Sequence, residues 1–115
     1  MSYDVYVGDE SFNMTSNIGN LFYDHIPETE NSRGGLHAIH GKTGAEAAEI
    51  LSTALEKIDK TRHKYWKNST VGEPEFCALY DSPNGWGSAV GGIIFFAKIM
   101  AACYRNPEGI VELSA

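Results

Sequence analysis

A long amphipathic segment near the middle of the chain constrains the fold more than any other part of the sequence. Thr43 and Glu46 stand three residues apart, the spacing of a capping box, in which a hydroxyl and a carboxylate each bind a free amide at the start of a helix. Apolar residues then recur at helical spacing: Ala47, Leu51, Ala54, Leu55, Ile58 and Tyr65. Glu56 and Lys60 form a favourable i,i+4 pair on the other side. The sequence therefore predicts an amphipathic helix over 43–65.

A second helix is predicted over 88–104, and it is apolar on nearly every side. Lys98 is its one charged residue, and the Arg-Asn-Pro run at 105–107 ends it. Gly91 and Gly92 each weaken a helix by about 0.5–1 kcal/mol relative to alanine, so we expect close helix packing or a ligand against this backbone. A chain with so few helices cannot easily bury every side of such a helix. We therefore predict a homodimer.

Short β-forming segments near both ends of the chain predict a small sheet. Residues 3–7 are rich in β-formers, residues 109–113 form a closing strand, and residues 11–15 form either a strand or a loop. A short capped helix is predicted over 17–26, and 75–80 is either a strand or a helical turn. The predicted fold class is α+β, in one domain, with a small sheet of terminal strands packed on the two main helices.

Charge and hydropathy limit the classes of function. The chain has 9 Lys and Arg against 15 Asp and Glu, a net charge of −6. This balance argues against general nucleic-acid binding, because duplex affinity depends on neutralising phosphates. The longest apolar stretch, 89–97, is shorter than the roughly 20 residues that span a bilayer, and no signal sequence is recognisable. We expect a cytoplasmic protein that does not enter the membrane, with Cys77 and Cys103 as reduced, buried thiols.

A glycine-rich stretch, 34–44, precedes the long helix and raises the question of a phosphate site. It does not fit a P-loop, because that motif requires a glycine where Leu36 stands. A weaker anion site remains, in which Lys42 and Thr43 stand beside the free amides of the helix start. Plain helix capping is the alternative interpretation.

Three histidines are weak candidates for metal ligands. His37 and His40 are three residues apart, and His25 lies upstream. The sequence has neither an HExxH motif nor a paired set of cysteines. We therefore predict no bound metal and no cofactor, and the histidines are alternatively buried hydrogen-bonding groups or ligand contacts.

Polar side chains alternate in the segment that follows the first strand. Asn13, Thr15 and Asn17 share one face if the segment is extended, and Tyr23 follows on the short helix. The three are either turn and cap residues or a hydrogen-bonding rim for a base or sugar.

A tight loop at 82–87 presents one large aromatic residue just before the apolar helix. Trp86 either fills the core or stacks on a planar ring, which is worth roughly 1–3 kcal/mol per base. Asn84 lies in the same loop. Five of the nine cationic residues lie within 57–67, which is mostly a solvated helix end, and Arg105 is an isolated positive spot elsewhere.

Four motifs occur in a distinctive order along the chain. They are the Met-Ser-Tyr-Asp start, FNMTSN at 12–17, GLHAIHGKTGAE at 35–46 and NGWG at 84–87. This order resembles a family of small accessory proteins encoded by tailed phages and prophages. The resemblance implies a role in the cytoplasm of the bacterial host, and it supplies no catalytic residues.

The leading functional hypothesis is a binding protein without catalytic residues. It predicts that a phage accessory protein binds a small anionic, nucleotide-like ligand, for example to sequester a signalling nucleotide of host defence. The predicted ligand-binding residues are Asn13, Thr15, Asn17, Tyr23, His37, His40, Lys42, Thr43, Asn84, Trp86 and Arg105. Two alternatives stay open: a protein that inhibits a host factor through the 88–104 helix or the acidic surface, and a metal-dependent hydrolase that uses the three histidines.

Overall fold

The structure, a computed structural model, describes residues 2–15, 18–30, 33–68, 72–82 and 87–114. Its elements in chain order are β1 (Ser2–Val7), β2 (Glu10–Thr15), α1 (Gly19–His25), a 3₁₀ helix (Gly35–Ile39), α2 (Gly44–Asn68), α3 (Gly72–Tyr80), α4 (Ala89–Arg105) and β3 (Glu112–Ser114). The predicted α+β class is confirmed, with a small antiparallel sheet of terminal strands packed against two main helices.

The sheet has three antiparallel strands in the order β2-β1-β3. Gly8, with a positive φ of 59°, opens the two-residue turn between β1 and β2, a conformation that glycine adopts without strain. Val5 pairs with Phe12 on one side and with Leu113 on the other. Because β1 is central, its inward side chains are fully buried, and the 11–15 segment forms a strand by pairing with it.

α2 begins at the predicted capping box. The Thr43 amide and hydroxyl both donate to Glu46 Oε1, at 3.1 and 3.0 Å, and the Glu46 amide donates to Thr43 Oγ1 at 3.2 Å. Leu51 and Ile58 lie on the buried face of the helix. The capping box and the amphipathic helix are therefore confirmed, and the helix continues to Asn68.

α4 packs across the sheet and against α1, and it keeps one face exposed. A Cβ added at Gly92 would lie 2.8 Å from side-chain atoms of Ile18 and Leu21, so close packing explains this glycine. Val90 and Ile94 are exposed on the opposite side. Burial within one chain is thus incomplete for this helix.

The 75–80 segment, for which the sequence left strand and helical turn open, forms α3, a helix that packs on α2. Phe76 is buried, and the Tyr80 hydroxyl donates to Asp24 Oδ2 at 2.9 Å. Among the described residues, none of the helices combines the length and hydropathy needed to cross a membrane.

The core is centred on stacked aromatic rings. Phe22 stacks on Phe96 with ring centroids 4.6 Å apart, and Tyr3 meets Phe22 edge-on at 5.7 Å. Both cysteines are free: Cys103 is buried, and Cys77 is half-buried. Burial raises the pKa of the Cys103 thiol to about 11, so this thiol stays protonated at neutral pH.

Candidate functional site

An exposed tyrosine lies over a glycine pair where α1 faces the loop that leads into the 3₁₀ helix. The Gly35 amide donates to the Ile26 carbonyl at 2.8 Å and closes this loop. Gly35 has a φ of +62°, and a Cβ there would lie 3.3 Å from the Tyr23 ring. A Cβ at Gly34 would lie 2.9 Å from backbone atoms of Glu28 and Ile26. The positive φ at residue 35 and the close backbone at residue 34 therefore both favour glycine.

Tyr3 lies near Tyr23, and His37 lies beside Tyr3. The His37 ring meets the buried Tyr3 ring edge-on, with centroids 6.5 Å apart. Burial, and secondarily the neighbouring Tyr23, raise the pKa of the Tyr3 phenol, which therefore remains a hydroxyl donor at neutral pH. We call Tyr3, Tyr23, Arg33 and His37, together with the backbone of residues 34–35, the tyrosine–histidine surface.

Arg33 is the cationic residue of this surface and lies near His37. The pKa of His37 lies below its usual value, first because the ring is partly buried and then because Arg33 and His40 are close. His37 is therefore mostly uncharged at neutral pH, and Arg33 is an exposed cation close to it.

Sequence reasoning selected Tyr23 and His37 but missed Tyr3 and Arg33. Arg33 directly precedes the glycine pair, and a cation at that position is a signal that the sequence offered. Tyr3 lies on a strand far from the loop in sequence, so only packing brings it to His37.

His40 has a structural role in the sheet. Its Nδ1 accepts the Leu113 amide at 3.0 Å, which holds β3 to the segment before α2. An accepting Nδ1 leaves the proton of the neutral ring on Nε2. His40 is thus near His37 but engaged with β3.

The chain itself satisfies the amides at the start of α2. Gly44 N donates to the Gly109 carbonyl at 2.8 Å, and Ala45 N donates to the Pro107 carbonyl at 2.9 Å. The Glu46 carboxylate already occupies the end of the helix where Lys42 and Thr43 were predicted to hold an anion. We therefore do not place an anionic ligand there, since it would meet a carboxylate in place of free amides.

Two further predicted residues, Asn13 and Thr15, lie on β2. Asn13 lies on the outer face of β2 and donates to Asp4 Oδ1 at 2.8 Å. Thr15 packs beside Gly87: a Cβ added at Gly87 would lie 2.6 Å from the Thr15 methyl group. Three more predicted residues, Asn17, Asn84 and Trp86, lie outside the described residues.

Arg105 lies at the C-terminal end of α4, where it joins this helix to the β1–β2 hairpin. Its Nε donates to Glu10 Oε2 at 3.1 Å, and the Asn106 amide group reaches the same oxygen at 3.3 Å. The hydrogen bond from Arg105 is the main cause of the lowered pKa of Glu10. The guanidinium is thus committed to an ion pair.

The three histidines do not gather into a metal site. His25 is buried, with Nδ1 donating to the Leu21 carbonyl at 2.7 Å and Nε2 lying 3.2 Å from Thr61 Oγ1. Among the described residues, no group of three or more His, Cys, Asp or Glu is placed to hold a metal ion.

The cavities of the described surface include two near residues discussed above. One of about 310 Å³ lies between α1 and α2, where His25, Glu49 and Lys57 are among its lining residues. The other, of about 300 Å³, lies between β2 and α4 and includes Asn13 in its lining. Of the predicted ligand-binding residues that the structure describes, Tyr23 and His37 belong to the tyrosine–histidine surface and His40 is near His37, while Asn13 and Arg105 are not part of it.

No known protein family, curated protein or solved structure matches the chain.

Proposed function

We propose that this chain is a non-enzymatic binding protein for a small anionic ligand with a planar ring, such as a nucleotide, and that the ligand binds at the tyrosine–histidine surface. The observation that carries the proposal is the Tyr23 ring, 43% exposed, which lies on the backbone of Gly34 and Gly35, directly after Arg33 in the sequence.

Each group of this surface offers one part of such a ligand a contact. The Tyr23 ring provides a stacking face for a base. The Arg33 guanidinium suits a phosphate or carboxylate, because its planar donors match these anions in pairs. Uncharged His37, which is half-buried, offers a hydrogen-bonding group for a sugar or base edge.

The motif resemblance to phage accessory proteins supports a proposal about the cellular compartment in which the protein binds its ligand. We propose that the protein acts in the cytoplasm of a bacterial host, where it would sequester a signalling nucleotide. The net charge of −6 favours a small ligand over a polynucleotide, because one local cation serves the former and many are needed for the latter. Inhibition of a host protein and metal-dependent hydrolysis stay predictions.

Calorimetric titration of the full chain with ADP-ribose and with cyclic di-AMP tests the proposal. We expect one of these probes to bind more tightly than millimolar. Tyr23→Ala and Arg33→Gln should each weaken binding about tenfold or more, since loss of a stacked ring or a paired cation is worth roughly 1–3 kcal/mol.

Matched variants provide the controls. Tyr6→Ala removes a tyrosine that is 44% exposed on the outer face of β1, and Arg62→Gln removes an arginine that lies over the Phe76 ring. Both should bind like the unaltered chain. The proposal fails if neither probe binds, or if the control variants lose as much affinity as Tyr23→Ala and Arg33→Gln.

A further inference from the structure

The two edges of the sheet differ in how they are covered. Beyond β3, His40 Nδ1 accepts the Leu113 amide at 3.0 Å, and the main chain of residues 41–42 bonds Val111 at 2.8 Å. On the side of β2 that faces away from β1, Ser11–Met14 form no backbone hydrogen bond with another described segment. β2 is therefore the open edge of the described sheet, the kind of edge that can pair with another strand.

The hairpin determines which backbone groups of β2 point outward. Val7 and Glu10 flank the two-residue turn and form a hydrogen-bonded pair, and such pairs alternate along an antiparallel ladder. Ser11 and Asn13 thus direct their amides and carbonyls away from β1. The same alternation turns the Leu113 amide outward from β3, where His40 binds it.

A groove of about 300 Å³ follows this open edge between β2 and α4. The four consecutive residues 11–14 all line it. Because successive side chains of a strand point to opposite faces, a cavity that touches all four lies against the backbone edge. On the α4 side, the groove includes Ile94, which is 49% exposed. The groove therefore combines outward main-chain groups with an apolar wall.

We propose that a second copy of this chain occupies this groove, with the two β2 strands pairing antiparallel across a two-fold axis at Asn13. A two-fold contact requires a self-complementary surface, and β2 has one. With the two-fold axis at Asn13, Phe12 pairs with the partner's Met14, and Ser11 pairs with the partner's Thr15. Apolar side chains are then opposite apolar ones, and hydroxyl groups are opposite hydroxyl groups. No residue from 11 to 15 is charged, so two chains of net charge −6 meet here without like charges in contact.

The direction of α4 is compatible with this two-fold contact. An added Cβ near the start of α4, at residue 91, would lie 3.4 Å from Met14 Cε, while Arg105 at the helix end bonds Glu10, so α4 runs antiparallel to β2. Lys98 therefore lies toward the Glu10 end of the groove, and the two-fold axis separates the two lysines. Ile94 lies nearer the axis, where both copies remove apolar surface from water.

Sedimentation velocity of the full chain tests the proposal with a matched pair of variants. Ile94→Glu places a charge in the groove, and Ile110→Glu places the same charge at a residue of similar exposure, 49% against 55%, outside it. We expect the unaltered chain and Ile110→Glu to sediment as dimers and Ile94→Glu to sediment as a monomer with the same circular dichroism spectrum. A monomeric unaltered chain, or a dimeric Ile94→Glu variant, overturns the proposal.

A second variant, Asn13→Pro, tests the dimer contact independently in case Ile94→Glu does not fold. Asn13→Pro removes an amide that points away from β1, which an edge strand tolerates, so we expect a folded monomer.

A spin label at Asn13→Cys, in a Cys77→Ser background, tests the register of the two β2 strands. The two labels lie at the axis and should broaden each other's spectrum strongly, whereas labels at Ile110→Cys should not. A dimer without broadening at residue 13 contradicts the proposed edge, and a monomer that instead binds an unrelated extended peptide contradicts the second copy as occupant.

Discussion

At the scale of single residues, Gly44 shows how neighbours in space fix the size of a side chain. Gly44 is the first residue of α2 and abuts the last turn of α4. An added Cβ would lie 2.0 Å from the Asn106 carbonyl oxygen and 2.8 Å from that of Cys103. These are backbone atoms at the junction of two main helices, so they cannot move aside as a flexible side chain can. Gly41 offers the opposite case, with a φ of +78° and nothing within 4 Å of an added Cβ.

Alanine at these two glycines should therefore have different effects on stability. We expect Gly41→Ala to lower the free energy of unfolding by about 1 kcal/mol, the cost of a left-handed conformation in an L-residue. Gly44→Ala should lower it by about 3 kcal/mol or more, because backbone must shift to relieve the clash. Urea denaturation measures both changes. An equal or smaller effect of Gly44→Ala would contradict the packing described here.

At the scale of elements, the start of α2 links a local sequence motif to the tertiary fold. The capping box satisfies the Glu46 amide from within the helix, while carbonyls of residues 107 and 109 satisfy the preceding amides. The Thr43 amide is the main cause of the lowered pKa of Glu46, followed by the Thr43 hydroxyl. The carboxylate form is therefore favoured in the folded state, and its stabilising effect is present above the ordinary value of 4.5.

We expect Thr43→Ala to lower the free energy of unfolding by about 1 kcal/mol at neutral pH, the usual effect of losing an N-terminal cap. Thr53→Ala is the matched control, since its exposed hydroxyl donates only to the Glu49 carbonyl of the same helix. That variant should change stability by less than about 0.5 kcal/mol. The effect of Thr43→Ala should also shrink as the pH falls below 4.5, because protonated Glu46 is a poorer acceptor. Denaturation at neutral and acidic pH measures this, and equal effects of the two variants would refute the cap.

At the scale of the whole molecule, one aromatic ring holds three elements together. Phe22 of α1 is fully buried, stacks on Phe96 of α4 and meets Tyr3 of β1 edge-on. The sheet, the short helix and the apolar helix therefore share a single contact point. The stability of a domain is typically about 5–15 kcal/mol in total, so losing this point should affect the entire fold.

We expect Phe22→Ala to lower the free energy of unfolding by roughly 3–5 kcal/mol through loss of burial and the cavity left behind. Phe22→Leu should cost clearly less, because it keeps most of the apolar volume. Tyr104→Ala, at a residue of α4 that is 63% exposed, should be nearly neutral. Thermal and urea denaturation of the three variants and the unaltered chain measure these changes in the free energy of unfolding. A stable Phe22→Ala variant that unfolds like Tyr104→Ala would show that the ring does not organise the core.

Local signals in the amino-acid sequence were enough to predict α2 and β1. The capping box and the apolar spacing of α2 lie within a few helical turns, and β1 carries its own strand propensity, so both could be predicted without knowing their neighbours. α3 and β2 were ambiguous, because a short segment becomes helix or strand according to what it packs against or pairs with. The fold class followed from the strong elements alone.

Which residues lie together at the surface depends on the packing of distant segments. Tyr23 and His37 were predicted, but Tyr3 reaches them from a strand distant in sequence, and the predicted anion site at Thr43 is filled by Glu46 and by carbonyls near the C-terminus. Arg105 lies in an ion pair with Glu10, near the other end of the chain. Helix propensity and capping act within a few residues, whereas contacts between surface residues depend on how the packed core orients each element.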